Sequence, residues 1–405
     1  MTDAKLILTF TQAVDASPKD VYYAFATAQG WRDWFCDSAR FEARPGGSYQ
    51  LARNNGWYAA GTVRECTRPE RVALTWFGKG DPGPTDVTIE LKGKDGGTTV
   101  ELHHSGFGQG DDWQKAYEET SKVWQIGLEN LESIFTSGED LRITRRPMLG
   151  VGINDFDEKI AKELGVPVVK GIRISQTLEG MGAERAGLQP NDVIVELNDK
   201  AINGFADMSV ALDGKQAGDV VAVVFYRGAE RIAVEMEFSR RPLEEFPLDP
   251  AAIAERLRNI DAGIIKELRT LFKGVSEGEA EFNPGPDEWS AKEILAHLII
   301  SEQIFLQPNI AELICDAQRE YTGDFSNVRV QNTVVLSTTS TIAELINRLR
   351  ASKKESATLL ELAEELKARK GVLWGLGQNM LQYPGFHERA HMDQIRAAIE
   401  AAREG

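Results

Sequence analysis

The chain has 405 residues, room for about three domains, and its 42% hydrophobic content is enough for ordinary cores. A formal net charge of −16, from 62 acidic against 46 basic residues and with no long basic run, disfavours nucleic acid and anionic membrane surfaces as partners. No apolar run approaches the ~20 residues that span a bilayer, no basic-then-apolar leader opens the sequence, and Cys36, Cys66 and Cys315 fit neither a disulfide framework nor a zinc ribbon; the expected location is the cytoplasm, off the membrane.

Two polar, proline-bearing breaks, "TSGEDLRITRRPM" (136–148) and "SRRPLEEFPLDP" (239–250), read as linkers. They divide the chain into an α+β part, a mostly β part and a helical part. The first part opens on the alternating strand "LILTFTQAVDA" and the helix "SPKDVYYAFAT", with Ser17 as N-cap and proline at the first helical position. Six short strands follow between turns such as "RPGG" and "KDGG". The long helix "DWQKAYEETSKVWQIGLENLESIF" closes the part, with Val123, Ile126, Leu128, Leu131, Ile134 and Phe135 as its expected apolar stripe. An antiparallel sheet followed by one amphipathic helix predicts a sheet curled around that helix. His103 and His104 are neighbours on a strand, so they face opposite sides, one the cavity and one the solvent, and cannot share a metal. Trp31, Trp34, Trp57 and Trp76 are candidate pocket residues, although aromatic rings more often fill a core.

The stretches "WRDWFCDSARFEARPGGSYQL", "GTVRECTRPERVALTW" and "TTVELHHSGFG" resemble the AHSA1-like branch of the START/Bet v1-like (SRPBCC) superfamily over residues 1–138. The resemblance implies a helix-grip fold with a pocket for an apolar small molecule, and more distantly a co-chaperone role.

In the middle part, "GMGAERAGLQPNDVIVELND" and "MLGVGI" resemble a PDZ domain of the bacterial HtrA type over residues 147–240. A PDZ site receives a C-terminal peptide as an added strand, its carboxylate held by a nest of backbone N–H groups. Here that site maps to Leu149, Gly150, Val151 and Gly152, with Arg146 placed to assist the carboxylate. Asn191 stands where the family usually has glycine, which affects a turn. The chain contains no "GNSGG"-like nucleophile segment, so such a module recruits or orients rather than feeding a protease.

From Pro250 onward the apolar spacing is helical, and three or four long segments predict an antiparallel four-helix bundle. Ser290 and Glu293 form a capping box, with His297 about two turns in. The last helix is expected to begin near "YPGFHERAHMDQIR", which puts His387 close to a helix start, where the positive end of the dipole favours a neutral ring. His387 and His391, at i and i+4, share one face and can bite one ion, given a third ligand from another element. Glu388 and Asp393 are expected to point away into solvent, and Glu302 to approach the site from the His297 helix.

"EWSAKEILAHL" and "HERAHMDQIR" resemble the DinB/YfiT-like metalloenzyme family over residues 250–402. The resemblance implies a divalent metal, zinc or nickel, on His297, His387 and His391, and the family includes thiol-dependent transferases and a hydrolase-like isomerase. The whole chain is thus expected to be a multidomain α+β protein made of a helix-grip domain, a β-rich PDZ domain and a four-helix bundle. Three readings stay open: a metal-dependent transferase or hydrolase in stress response or detoxification, a non-enzymatic ligand-binding protein, and a co-chaperone-like adaptor.

Overall fold

The computed structural model describes residues 6–154, 156–212, 214–285, 288–315 and 328–404. Of the stretches discussed above, residues 1–5, Asp155, Asp213, Pro286, Asp287 and residues 316–327 lie outside them. The chain forms two compact units. One contains Met1–Leu51, Ala60–Glu139 and Glu244–Gly405, and the other Ala52–Ala59 and Asp140–Leu243.

The N-terminal part has strands β1 (Leu8–Val14), β2 (Ser38–Phe41), β3 (Ser48–Ala52), β4 (Tyr58–Thr67), β5 (Arg71–Gly78), β6 (Thr85–Lys94) and β7 (Gly97–Ser105). Helices α1 (Pro18–Ala26) and α2 (Ala28–Trp34) sit between β1 and β2, and α3 (Asp111–Thr136) follows β7. The sheet order β1-β7-β6-β5-β4-β3-β2 is a meander whose first strand returns to pair with its last. The Ser17 side chain caps α1, with proline just inside, as the sequence requires. The buried face of α3 is Trp124, Gly127, Leu128, Leu131 and Ile134. Ile126, expected in that stripe, is 55% exposed, because it lies two positions from Trp124 and hence far round the helix from it.

Trp31, Trp34, Phe35, Trp76 and Trp124 pack ring against ring, with centroids 5.4 Å apart for Trp31–Trp34, 5.1 Å for Phe35–Trp124 and 5.0 Å for Trp76–Trp124. His104 is buried beside them. Trp124 Nε1 donates to His104 Nδ1 at 3.0 Å, and His104 Nε2 lies 2.7 Å from Thr85 Oγ1. The Thr85 hydroxyl already donates to the Trp76 carbonyl, so the imidazole proton sits on Nε2. His103, on the opposite face as alternation demands, is half-buried against Thr9.

The second unit's sheet comprises β8 (Val151–Asn154), β9 (Ile172–Thr177), β10 (Val193–Leu197), β11 (Lys200–Ala201), β12 (Val220–Arg227) and β13 (Glu230–Glu237), in the order β13-β12-β10-β9-β8 with β11 on β10. Helices α4 (Leu141–Thr144), α5 (Glu158–Leu164), α6 (Gly182–Arg185) and α7 (Phe205–Ala211) join them. Asn191 takes the left-handed conformation at φ 73°, a region asparagine tolerates, and its side-chain oxygen accepts from Arg173. The adjacent Asp192 is fully buried and takes both ends of the Arg227 guanidinium at 2.8 Å.

The C-terminal part has α8 (Pro250–Leu271), α9 (Glu277–Glu281), α10 (Ala291–Ile300), a π-helical turn (Ser301–Leu306), α11 (Gln307–Cys315), α12 (Val328–Thr338), α13 (Ile342–Glu361), a 3₁₀ turn (Glu364–Ala368) and α14 (Lys370–Glu404). The four long columns of the bundle are α8, α10 with its extension, α13 and α14. The final helix starts 17 residues before His387 and runs through Pro384, so His387 lies in mid-helix and the expected dipole effect does not apply.

The first and last parts of the chain share one compact unit, because α14 packs on α2 and α3. Arg369 binds Asp33 through two nitrogens, at 2.9 and 3.2 Å, with its guanidinium 5.2 Å over the Tyr23 ring. Lys370 Nζ donates to the carbonyls of Phe135 and Thr136 at the C-terminal end of α3, where a cation is favoured. Gly371 permits the approach: a Cβ there would lie 2.9 Å from Ile134 Cβ.

Burial pushes the His104 ring down to about 3. The unfolded chain therefore takes up this proton first, and the stability it represents, complete above about pH 6.5, drains away as pH falls toward 3. Denaturant titration should show wild type losing on the order of 2 kcal/mol from this ring between pH 7 and pH 5, and His104→Gln should lack that loss. An equal pH slope in the variant would assign it to other groups.

Candidate metal centre

The Ser290 hydroxyl accepts from the Glu293 amide and the Glu293 carboxylate accepts from the Ser290 amide, which fixes where α10 begins. His297 then faces α14, from which His387 and His391 project one turn apart. Among the described residues these three rings form the one cluster able to offer an ion three ligand atoms, all within 4.8 Å of one another. His297 Nε2 and His387 Nε2 are 3.2 Å apart. Ring centroids are separated by 4.7 Å for His297–His391 and 4.5 Å for His387–His391.

Burial pushes the His297 ring down to about 4, with the neighbouring rings of His391 and His387 adding to the shift. Burial also lowers His391, against an opposing hydrogen bond to Gln394. Both rings are therefore neutral at pH 7 and present lone pairs. His391 Nδ1 lies 2.8 Å from the Gln394 side-chain oxygen, which can only accept. The proton thus belongs on Nδ1, leaving Nε2 as donor to an ion.

The walls are aromatic. Trp289 lies 5.0 Å from His297 and stacks at 6.4 Å on His391, while Tyr383 stacks on His387 at 4.6 Å. A cavity of ≈540 Å³ opens beside His391, lined by Trp289, Ile294, Gln394, Ala398 and Glu288 among others.

Beneath the rings lies a charged layer that takes one group from each column of the bundle. Lys353 of α13 places Nζ 2.7 Å from Glu302, 2.7 Å from Glu388 of α14 and 3.1 Å from Asp261 of α8. Ser356 donates to the second Glu302 oxygen at 2.6 Å. All four charged residues are buried. Burial pushes Asp261 up to about 6, partly opposed by Lys353. Burial would also raise Glu388, but the neighbouring His387 ring and the charge of Lys353 override it and hold the carboxyl down to about 2. For Lys353 burial works against the charge and is outweighed by Glu302, Glu388 and Asp261, which hold the ammonium well above its ordinary range.

Glu388 is therefore not solvated. It falls in the buried stripe Leu381, Pro384, Glu388, Met392, Ile395 of α14, whereas Asp393 is indeed exposed and pairs with Arg396. Glu302 belongs to the charged layer, where its oxygens are taken by Lys353 and Ser356. Lys353 itself went unnoticed in the sequence. Its signal is a lysine in the apolar stripe Leu345, Leu349, Lys353, Ala357, Leu360 of α13.

The other candidate residues stand elsewhere. Trp31, Trp34 and Trp76 lie together in the packed aromatic core, each at most 2% exposed. Trp57, in the second compact unit, sits at the β3–β4 turn with the Arg53 guanidinium 4.7 Å over its ring. The second unit also holds the loop Leu149-Gly150-Val151-Gly152, leading into β8 at the end of its sheet order. The carbonyls of Leu149 and Gly150 accept from Ala183 and Leu178. Gly150 has φ 82°, and a Cβ there would lie 2.2 Å from that of Met181, so only glycine fits. Arg146 is exposed beside this loop in sequence.

Comparison with known proteins divides the chain in the same order. Residues 15–136 match the family model for activator of Hsp90 ATPase homolog 1-like proteins, residues 143–225 the PDZ domain, and residues 262–395 the DinB superfamily. Curated relatives include the periplasmic pH-dependent serine endoprotease DegQ of Escherichia coli, 29% identical over 92 residues, which are 23% of this chain and 20% of that protein. A probable periplasmic serine protease of the do/HhoA-like kind from Haemophilus influenzae is 26% identical over 30% of this chain and 27% of its own length. The chain thus spans about a fifth to a quarter of these relatives. Among solved structures, CalU16 from Micromonospora echinospora aligns at 24% identity and TM-score 0.28 over 32% of this chain and 74% of its own. An Aha1 from Colwellia psychrerythraea aligns at 19% identity and TM-score 0.28 over 32% and 96%. The described residues include no helix long and apolar enough to cross a membrane.

Removing one partner from a buried charge network strands the others. Lys353→Met should lower unfolding free energy by about 3–5 kcal/mol, read by urea denaturation at pH 7.5. A loss below about 1 kcal/mol, the range of surface pairs, would mean that water reaches the layer.

Proposed function

We propose that the helical bundle holds one divalent cation, zinc or nickel, on His297, His387 and His391, and that this centre serves a metal-dependent transferase or hydrolase reaction. The carrying observation is the 3.2 Å gap between two ring nitrogens that point at each other. Two nitrogens at ~2.0–2.1 Å from a tetrahedral ion are about 3.3 Å apart. The donor set fits too, since the His297 and His391 imidazoles are neutral and deliver lone pairs without first losing protons. Three protein ligands are the catalytic pattern for zinc, with a further position left for substrate or water. When bound, such an ion lowers the pKa of a coordinated water or thiol. The chain's own contribution is the aromatic wall of Trp289 and Tyr383, which limits water at the rings, and the cavity beside His391, whose Trp289, Ile294 and Ala398 suit an apolar substrate portion.

Purified protein should carry close to one equivalent of zinc or nickel per chain, or take it up after chelation. His391→Ala and His387→Ala should each bind at least 100-fold more weakly while keeping the wild-type circular dichroism. Unchanged metal content in both variants, or no uptake by wild type, would overturn the metal reading.

We further infer that the first domain receives an apolar small molecule near Trp31, Trp34 and Trp76, and that the PDZ domain receives a C-terminal peptide at Leu149, Gly150, Val151 and Gly152 with help from Arg146. The position of β8 at the sheet edge favours the second assignment, because an edge strand has pairing groups to offer. It equally favours the alternative of a non-enzymatic adaptor or co-chaperone-like protein. Three cysteines, odd in number and widely scattered, suit a reducing compartment and the cytoplasmic, stress-related setting we propose. Peptides ending in an apolar residue with a free carboxylate should bind the full chain, their amidated forms should not, and Arg146→Glu should weaken binding roughly tenfold, ~1.4 kcal/mol. Equal binding of amidated peptides would remove the carboxylate nest from the proposal.

A further inference from the structure

Two buried polar atoms in the bundle face each other without a hydrogen-bond partner: His387 Nδ1 and Glu388 Oε2, 3.6 Å apart. One is able to donate and the other only to accept. A few tenths of an ångström of approach satisfies both, whereas a buried polar atom left unmet is destabilising. The other Glu388 oxygen is fixed by Lys353 at 2.7 Å, and Lys353 is in turn held by Glu302 and Asp261. Glu388 is 3% exposed, so water does not compete for it.

The proton between His297 and His387 has two possible homes. If His387 carries it on Nε2 and donates to His297, its Nδ1 lone pair is turned on a carboxylate 3.6 Å away, which is repulsive, and His297 Nδ1–H is a buried donor without acceptor. If His387 carries it on Nδ1, that N–H meets the Glu388 carboxylate and, in the metal-free protein, Nε2 accepts from His297 Nε2–H, a proton that His297 moves to its own Nδ1 when Nε2 takes an ion. The second arrangement pairs two more buried groups, His387 Nδ1 and Glu388 Oε2, and removes a repulsion; His297 Nδ1 is without a partner in both.

We propose that Glu388, braced by Lys353, is a positioning residue that holds the His387 proton on Nδ1 and so commits Nε2, the atom facing His297, to metal binding. This rests on the metal reading of the three rings. The device is a carboxylate behind an imidazole ligand, formed here by the residue next to the ligand in sequence and anchored by a buried lysine on another helix.

Glu388→Gln tests it with little change of shape. The glutamine oxygen turns to Lys353, its NH₂ then faces His387 Nδ1, and the ring proton is forced onto Nε2. Two readouts separate this inference from the one beneath it. The first is nitrogen-15 NMR of the metal-free full chain at pH 8, which reports the tautomer directly. Wild type should show Nδ1–H at His387 and Glu388→Gln should show Nε2–H. The second is Co(II) titration followed by visible absorption, in which Glu388→Gln should bind 10–100-fold more weakly and Glu388→Asp should recover part of the loss. An Nε2–H tautomer in wild type, or identical tautomers in the two proteins, overturns the positioning role whatever the metal result. No Co(II), zinc or nickel uptake by wild type overturns the metal reading alone, with the NMR still deciding the tautomer. Should Glu388→Gln not fold, Ser356→Ala, which loosens Glu302 and through it Lys353, should weaken Co(II) binding in the same direction by a smaller factor, and unchanged affinity there counts against the brace.

Discussion

One lysine ammonium, sealed inside a helical bundle, is the contact on which the C-terminal architecture turns. Lys353 collects a carboxylate from α8, one from the turn after α10 and one from α14, so that all four columns of the bundle meet at one charged layer. Above that layer lies an apolar cluster containing Ile264, Leu298, Leu349 and Met392, and below it another containing Leu257, Ile310, Ala357 and Leu381. Apolar side chains are forgiving about helix register, since Leu or Ile packs acceptably at several heights. A buried ion network is not forgiving, because sliding any helix by a turn strands a charge. The layer therefore fixes the relative height of helices that hydrophobic packing alone would leave loosely set, and it lies directly under the imidazoles whose separation must be right to a few tenths of an ångström.

The wide π-helical turn at Ser301–Leu306 belongs to the same logic. Glu302 lies in that turn, five residues after His297, and an extra residue in a helical turn re-aims the side chains that follow it. Here the local irregularity lets one column present an imidazole to α14 and, a little further on, a carboxylate to α13. Irregular helix geometry is costly in isolation. Two short bonds to Glu302, from Lys353 and Ser356, offset it.

Much of this was legible in the sequence, and the parts that were not share a cause. The three histidines announced themselves because they are few and because i, i+4 spacing puts His387 and His391 on one face. The capping box, the strand alternation around His104 and the turn chemistry at Asn191 were legible for similar reasons, each being a local rule about a few adjacent residues. Glu388 was missed because helical spacing turns it away from the histidine face, and Lys353 because a charge suggests solvent; only the full apolar periodicity of α13 and α14 reveals that both occupy inward positions. The start of α14 was missed because Pro384 reads as a boundary, yet the helix continues through it, with Pro384 buried in the core stripe. Ion pairs between distant segments, such as Arg369 with Asp33, leave no local trace in sequence at all.

The single long helix α14 joins these levels. Its first residues are tied to the helix-grip domain, through Lys370 on the carbonyls at the end of α3 and Gly371 against Ile134, with Arg369 on Asp33 immediately before. About 18 residues on, some 27 Å along the axis at 1.5 Å per residue, it carries His387, Glu388 and His391 in one turn. A helix of that length transmits position well but is only as straight as its hydrogen bonds, and Pro384 removes one of them between the anchor and the site. Lys353 grips α14 one turn beyond the proline. The geometry of the imidazoles thus depends less on the distant anchor than on the charged layer at their base, and the helix-grip domain can be tied to the bundle without dictating the placement of the rings.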